Sequence, residues 1–388
     1  MNCVLTRLPD FLLLGIPVLA STTLFARGAP PEHAVIFIID GLSYKAVDRL
    51  PLDNLRRLIA AGTYYEKSYT VMPAHPQIEN WLQFSQASIP NPVLLAGTVL
   101  LRTGQKYVQQ SFFPDRITAH VANDLAYTTL NVGFHLTYMG RADDRQAIAW
   151  AIEFLRRERP AFMLIHLQNV GDAGYASYTE TDPAVPWRGN IWAEGSPYRK
   201  AALQADKCLG MLLDELAALG LREKTALFVT ADHGEADSGW HRPEEQDGWA
   251  MPLVVAGPGI RPAQRFPYSE QIDIVPTLCF LMGVKPPPNA DGRILAEAFM
   301  EPPGIVAPRR QKILELNTLL LEVQGTLKKL RQKAEESPAV RKDLAEAERE
   351  FYGLDRILEW HRFGSLDGLL EHNRNVLAKL SAASSGTR

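Results

Sequence analysis

TALFVTADHGE, residues 225–235, places an aspartate and a histidine directly after an apolar run. The run has the length and the β-branched content of a buried strand. A glycine follows His233, so the chain turns at once and leaves two polar side chains at the rim of a sheet. Carboxylate and imidazole groups at such a rim are candidate ligands of a divalent metal ion.

The same arrangement occurs near the amino terminus. AVIFIIDG, residues 34–41, is an apolar run that ends in Asp40 and a glycine. Open α/β folds bind their ligands at the carboxyl edge of a parallel sheet, so we expect Asp40, Asp232 and His233 to meet there. A further histidine, His241, follows in GWH at 239–241. Taken singly, Asp40 is equally well a turn residue and His241 a surface histidine.

Apolar runs alternate with amphipathic stretches between residue 33 and about residue 300. Strands are expected at 34–39, 162–167, 225–230 and 252–256, and helices at 52–61, 144–157 and 199–219. Such alternation is typical of α/β proteins. It predicts a core domain at 33–301, folded as a three-layer α/β/α sandwich with a mostly parallel central sheet.

The chain changes character after Pro302-Pro303-Gly304. Apolar residues recur at alternating spacings of three and four over 313–330 and again over 340–358, and a proline interrupts the pattern between them. Two heptad patterns around a proline-containing turn predict a C-terminal α-helical hairpin, resembling a coiled coil, at 309–382. The hairpin either packs on itself or on the core domain, or it serves as an arm for a homodimer or another partner.

The overall composition excludes some classes of protein. The chain has 388 residues, of which 46% are hydrophobic and 22% charged, and its net charge is −3. These values are ordinary for a globular protein, and no basic excess favours binding to nucleic acid. Three cysteines are present, and the sequence leaves open whether Cys208 and Cys279 pair.

The first segment has the pattern of an export signal. Arg7 precedes an apolar stretch at 11–20, and small residues follow it. The stretch is too short, and too interrupted by glycine and proline, for a stable membrane span. We therefore predict a signal peptide at 1–29 and a periplasmic or secreted protein, with an uncleaved amino-terminal anchor as the alternative.

Five motifs occur in an order that resembles the alkaline phosphatase superfamily, in its branch of sulfatases and type I phosphodiesterases/nucleotide pyrophosphatases. They are VIFIIDGL at 35–42, ADHGE at 231–235, GWH at 239–241, PLVVAGPGI at 252–260 and DIVPTL at 273–278. The resemblance implies a metal-dependent hydrolase of small-molecule phosphate or sulfate esters, with phosphodiesters foremost. It also implies one or two divalent ions, with zinc expected first and manganese or calcium as alternatives.

The resemblance further implies roles for individual residues. Asp40, Asp232 and His233 resemble the ligands of one metal, and Asp172 and His241 resemble ligands of a second. Family members usually carry Asp-x-x-Gly-His around the second aspartate. Here Asp172 is one residue out of place, and a tyrosine stands at the histidine position. We expect the second site to be the weaker one.

The nucleophile expected from the resemblance is absent from its usual position and is either lost or displaced. Related phosphodiesterases carry Thr-x-Pro and sulfatases carry Cys- or Ser-x-Pro, but this chain has Val71 and Ala74 two residues before its prolines. Thr70 is the nearest hydroxyl and the candidate nucleophile, and His75 is a candidate general acid. Without such a hydroxyl, water activated by the metal would attack directly. The same departures support an alternative, a non-catalytic relative that retains the fold as a binding module.

Overall fold

One mixed sheet forms the centre of the molecule. The computed structural model describes residues 30–70, 84, 87, 107–112, 115–241, 245–288, 290, 292–301, 308–334, 340–342, 344 and 366–385. The strands of the sheet are β1 (His33–Ile39), β2 (Thr63–Tyr69), β3 (Thr118–Ala122), β4 (Leu136–Met139), β5 (Phe162–Leu167), β6 (Thr225–Thr230), β7 (Ala250–Ala256) and β8 (Gln264–Glu270). Their order is β4-β3-β5-β1-β6-β7-β2-β8, and β7 alone runs antiparallel to its neighbours.

Helices cover the sheet on both faces. Within the described residues they are α1 (Ala46–Arg49), α2 (Asp53–Ala61), α3 (Asp144–Glu158), α4 (Asn169–Thr179), α5 (Pro197–Ala218), α6 (Ile274–Met282), α7 (Pro308–Ala334) and α8 (Leu366–Ser385). The central strands β5, β1 and β6 are buried at every residue. Parallel strands covered on both faces have this continuous apolar character.

Alternate residues of β1 show which helices belong to each layer. Val35 and Phe37 pack into a core that includes residues of α2, α3 and α5. Ile36 and Ile38 face the other way and pack with residues of α6. Because successive side chains of a strand point to opposite faces, β1 separates two layers of helices. The predicted three-layer α/β/α fold with a mostly parallel sheet is confirmed.

The C-terminal helices pack on one end of the sheet. α7 and α8 lie against each other, and α7 also contacts β8. Leu319 of α7 and Leu370 of α8 are buried in one apolar cluster with Tyr268 of β8. This contact favours the expectation that the helices pack on the core domain. Most of the second predicted helix, 340–358, lies outside the described residues, so the hairpin at 309–382 stays a prediction.

Two further expectations meet the structure in different ways. Cys208 and Cys279 are both buried free thiols, so they do not pair with each other. A search of the described helices finds none with the length and apolar character that crossing a bilayer requires. The segment at 1–29, where the signal peptide is predicted, lies outside the described residues.

Candidate active site

Three neighbouring strands bring four side chains to one point at the carboxyl edge of the sheet. Asp40 follows β1, His166 is the fifth residue of β5, and Asp232 and His233 follow β6 after one intervening residue. β5, β1 and β6 are adjacent and parallel, so their carboxyl ends lie side by side. None of the four residues is more than 4% exposed. We call these four residues the Asp–His cluster.

Both imidazoles of the cluster face both carboxylates. His166 Nε2 lies 3.3 Å from Asp40 Oδ2 and 3.9 Å from Asp232 Oδ2. His233 Nε2 lies 3.5 Å from Asp40 Oδ1 and 3.6 Å from Asp232 Oδ2. Ligand atoms of Asp40, His166 and Asp232 all fall within 4.8 Å of one another. The four side chains therefore converge on a single volume.

Hydrogen bonds outside this volume orient the cluster. His233 donates from Nδ1 to the Gly234 carbonyl at 2.8 Å, which leaves Nε2 as the atom that faces the carboxylates. The Gly41 backbone N–H donates to Asp232 Oδ1 at 3.3 Å. The Tyr127 hydroxyl donates to Asp40 Oδ2 at 2.7 Å, and its ring stacks on His166 with the centroids 3.9 Å apart. Such outer contacts fix the tautomer and orientation of metal-binding side chains.

A glycine of α4 makes room for Asp40. A Cβ atom at Gly171 would lie 1.8 Å from Asp40 Oδ1, which no side chain can tolerate. Gly41 packs against the same point, with a φ of +64° and with the Gly171 Cα 3.0 Å from where its own Cβ would lie. Its backbone conformation is one that favours glycine. The two glycines let α4 approach the end of β1.

The cluster holds negative charge away from water. Burial raises the pKa of Asp40, but the hydrogen bond from His166 and the charges of His233 and His166 outweigh it and lower this pKa to about 2. Burial and the charge of Asp40 raise the pKa of Asp232. Burial lowers the pKa of His233, but the charges of Asp232 and Asp40 raise it overall. The two carboxylates thus favour a positive charge beside them.

The donor set fits a divalent metal ion. Two carboxylates and two imidazoles, all buried and converging, are the ligand types that zinc and manganese accept. Calcium takes oxygen ligands, so two imidazoles make it the poorer match. Among the described residues, one group of at least three such side chains has ligand atoms close enough together to hold an ion. It consists of Asp40, His166 and Asp232.

The two residues predicted for a second metal have different surroundings. His241 is buried, and its ring stacks on that of His233 with the centroids 3.9 Å apart. Asp172 instead lies on an exposed part of α4, where Gln168 Nε2 donates to its Oδ1 at 3.2 Å. Tyr175, one turn further along α4, is 47% exposed. The structure places His241 beside the Asp–His cluster and leaves Asp172 at the surface.

The candidate nucleophile lies at the same edge of the sheet. Thr70 directly follows β2, which runs in the same direction as β1. Thr70 is buried, and its backbone N–H donates to the Trp249 carbonyl at 3.0 Å. His75, with Val71 and Ala74, lies outside the described residues. The catalytic roles of Thr70 and His75 stay predictions.

Sequence reasoning missed one member of the cluster. His166 lies inside the apolar run FMLIHL of β5, one residue before the strand ends. A lone histidine in a buried strand is usually a core residue, and no adjacent aspartate or glycine marks it. The usable signal was its position, since β5 was predicted and its carboxyl end had to lie at the same edge as Asp40.

Comparison with known proteins shows what this fold is similar to. Residues 100–284 match the family model described as Sulfatase. A structure described as a 2-O GAG sulfatase superposes with a TM-score of 0.56, at 16% identity over 72% of this chain and 76% of that one. The phosphonate monoester hydrolase of Silicibacter pomeroyi gives 0.54, at 17% identity over 71% and 78%. The family match confirms the resemblance for the sulfatases of the alkaline phosphatase superfamily, and the superposed structures, which are less than 20% identical, show the fold alone.

The chain is also similar to particular curated proteins over shorter segments. Ulvan-active sulfatase of Formosa agariphila is 32% identical over 114 residues, which are 27% of this chain and 22% of the relative. The 2,3-bisphosphoglycerate-independent phosphoglycerate mutase of Legionella pneumophila is 33% identical over 105 residues, 25% of this chain and 20% of the relative. Choline-sulfatase of Rhizobium meliloti is 32% identical over 83 residues, 20% of this chain and 16% of the relative. The matched segments span about a fifth of each relative, or less.

Proposed function

We propose that this protein is a metal-dependent hydrolase of sulfate or phosphate esters. The observation that carries the proposal is the Asp–His cluster, in which two buried carboxylates and two buried imidazoles converge at the carboxyl edge of a parallel sheet. The Sulfatase match over 100–284 supports the same class of reaction. Ligand sites of open α/β folds lie at this edge.

The ion would be held by the four residues of the Asp–His cluster, Asp40, Asp232, His166 and His233. Zinc or manganese suits these ligands best. A divalent ion bound there supplies Lewis-acid stabilisation of an anionic ester group and makes water a stronger acid. The protein's own part is to keep the carboxylates in place. Tyr127 and the Gly41 N–H do this by donating to Asp40 and Asp232, respectively.

Thr70 is our candidate for the attacking hydroxyl, because it is buried at the edge of the sheet where the cluster lies. Activation of such a hydroxyl requires a metal or a neighbouring base. We expect Thr70→Ala to lower kcat by at least about 100-fold, and Thr70→Ser to retain most of it. The measurement is steady-state kinetics of both variants at full metal occupancy. Equal activity of Thr70→Ala and wild type would assign the attack to water instead.

Phosphodiesters are our first choice of substrate. Sulfatases of the formylglycine type carry Cys-x-Pro-x-Arg, whereas this chain has His75 where the arginine would stand and no cysteine at the first position. Sulfate and phosphate monoesters are the comparison substrates in the screen. We further propose that the protein is exported, because the apolar segment at 11–20 follows Arg7 and precedes small residues.

The experiment that tests the hydrolase compares wild type with Asp232→Asn and with Asp214→Asn. Asp232→Asn removes one charge from the cluster, whereas Asp214 is an exposed aspartate of α5 and serves as the matched control. We expect bound metal in wild type and in Asp214→Asn, and loss of both metal and ester hydrolysis in Asp232→Asn. Elemental analysis and a screen of 4-nitrophenyl esters provide the two readouts, repeated after chelation and after metal is added back.

A second candidate function is a metal-binding module without catalysis. The observation in its favour is the position of Asp172 at the surface, with Gly171 where a side chain would face Asp40. Metal that depends on Asp232, together with no hydrolysis of any ester in the screen, would support this module. Hydrolysis that survives both chelation and Asp232→Asn would contradict the proposed hydrolase.

A further inference from the structure

A row of four aromatic side chains leads from the Asp–His cluster to the surface. The rings of His233 and His241 have centroids 3.9 Å apart, those of His241 and Trp240 4.0 Å, and those of Trp240 and Tyr175 4.5 Å. His233 and His241 are buried, Trp240 is partly buried, and Tyr175 is 47% exposed. We call these residues the aromatic row. Its outer end is a tyrosine ring open to solvent beside the candidate active site.

The loop that carries Trp240 holds it in an unusual conformation. Its φ is +69°, a region of backbone space that is costly for a bulky side chain. The Trp240 N–H donates to Glu235 Oε1, and the Trp240 carbonyl accepts from the Ala236 N–H at 2.9 Å. Glu235 is fully buried, so the hydrogen bond that it accepts from Trp240 lies on the inner side of the loop. These hydrogen bonds hold the backbone at Trp240, and its indole ring contacts the exposed ring of Tyr175.

α4 is packed closely against the same loop. A Cβ atom at Gly174 would lie 2.1 Å from Glu235 Oε1, and one at Gly239 would lie 2.4 Å from the Gly174 carbonyl. Small residues at these points allow Tyr175 of α4 to reach Trp240. The exposed tyrosine is therefore part of a rigid wall, and preorganised walls are what ligand sites require.

We propose that Tyr175, supported by Trp240, stacks against the ring of the ester's organic group while the sulfate or phosphate group lies at the Asp–His cluster. This inference rests on the proposed function, since it names the class of ester that the site takes. The ring is an aryl or a sugar ring, because both present an apolar face to a tyrosine. Aromatic faces attract such rings in offset or tilted arrangements.

A neighbouring negative charge restricts the class of ester that the site would take. Asp172 is exposed on α4 three residues before Tyr175, a spacing that places two residues on neighbouring parts of a helix surface. A second sulfate or phosphate group on the same ring would meet this negative charge and be disfavoured. The geometry points to a ring that carries a single anionic group.

The binding test uses phenylphosphonate and methylphosphonate, which share the anionic group and carry no ester bond to hydrolyse. We expect metal-loaded wild type to bind phenylphosphonate about three- to tenfold more tightly, as measured by titration calorimetry. Tyr175→Ala should lose this preference, and Tyr175→Phe should retain it. Tyr178→Ala is the matched control, because Tyr178 is 42% exposed on the same helix and is outside the aromatic row.

The kinetic test uses an aryl and a sugar probe as phosphodiesters, namely the methyl diesters of 4-nitrophenyl phosphate and of glucose 6-phosphate. We expect Tyr175→Ala to raise KM for the probe that the site prefers by about three- to tenfold, with kcat little changed. Equal binding of the two phosphonates by wild type would overturn the proposal, as would an equal effect of Tyr178→Ala. A change in oligomeric mass with Tyr175→Ala, without a change in affinity, would overturn it in favour of a protein contact.

The two proposals fail in distinguishable ways. If wild type prefers phenylphosphonate through Tyr175 but hydrolyses no ester, the stacking site stands and the hydrolase fails. If wild type hydrolyses esters but binds the two phosphonates equally, and Tyr175→Ala leaves KM unchanged for both ring probes, the hydrolase stands and the stacking site fails.

Discussion

The Asp–His cluster and the residues predicted for a second metal depend on different kinds of local structure. The Asp–His cluster comes from the ends of β5, β1 and β6, whereas the second set depends on α4 and on the loop that ends at His241. The ladder of the sheet pairs Ile38 with both His166 and Thr230. Asp40 and Asp232 each stand two residues beyond this level, so the sheet itself aligns their carboxylates.

A one-residue shift changes the direction of a side chain in a helix as well as in a strand. Successive side chains on an α-helix are about 100° apart around its axis, because a turn contains about 3.6 residues. In α4 the residue that faces Asp40 is Gly171, and the next residue, Asp172, lies at the surface. A motif displaced by one position therefore presents its aspartate to solvent. The register of the sheet aligns Asp40 with Asp232, whereas the direction of Asp172 depends on the helical phase of α4.

Among the substitutions that test the difference between the strand ends and α4, Gly171→Ala is expected to have the largest effect on metal affinity. Gly171 lies where α4 meets the end of β1. The added Cβ would lie 1.8 Å from Asp40 Oδ1, so the carboxylate or α4 must move. We expect metal affinity to fall by about 100-fold, at the upper end of what disturbed outer contacts cost. Calorimetric titration with zinc measures the change, and circular dichroism checks that the protein remains folded.

The control for this substitution is Gly325→Ala in α7, where nothing lies within 4 Å of the added Cβ. It should leave metal affinity unchanged and stabilise the helix slightly, by up to about 1 kcal/mol. Wild-type metal affinity in Gly171→Ala would mean that α4 yields easily. In that case the close approach of Gly171 would not position Asp40.

The strand-end cluster itself was largely predictable, and the reason is physical. Four buried strands contain apolar runs that were enough to locate them in the sequence. They are β1, β5, β6 and β7. β2 and β8 were missed because TYYEKSY and QRFPYSE have no continuous apolar run and β8 contains a proline. β2 is stabilised by pairing with both β7 and β8, and β8 by pairing with β2, and the sequence of one strand does not record its partners.

His166 and Asp172 show the limit of this reasoning for the site. His166 was missed because pattern analysis takes a histidine in an apolar strand to be a core residue, and only strand order brings it to Asp40. Asp172 was predicted from a motif read along the chain, but its direction depends on where α4 begins. Strand order and helix phase are both tertiary properties, and neither can be deduced from a short sequence motif.

A smaller effect on metal affinity is expected from Tyr127→Phe, which tests whether the Tyr127 hydroxyl orients the Asp–His cluster. The substitution removes the hydroxyl that donates to Asp40 Oδ2 at 2.7 Å but keeps the ring that stacks on His166. We expect about a tenfold loss of metal affinity, since outer-shell contacts of this kind contribute about 10–100-fold. The measurement is a competition assay with a zinc-binding dye.

Tyr178→Phe is the matched control for Tyr127→Phe, because it removes a hydroxyl from an exposed tyrosine. If both variants bind zinc as wild type does, the hydrogen bond from Tyr127 is not needed to orient Asp40. The stacking on His166 would then be its main contribution.

The smallest effect is expected from Asp172→Asn, and it tests the second region directly. Asp172 is exposed, and its carboxylate accepts a hydrogen bond from Gln168 rather than joining His241 beside the cluster. An exposed carboxylate outside the cluster should contribute little, so we expect less than about a twofold change in metal affinity. Elemental analysis should give the same number of ions per chain in the variant and in wild type. Loss of one ion in Asp172→Asn would mean that α4 reorients when metal binds, and the helix would then supply a ligand after all.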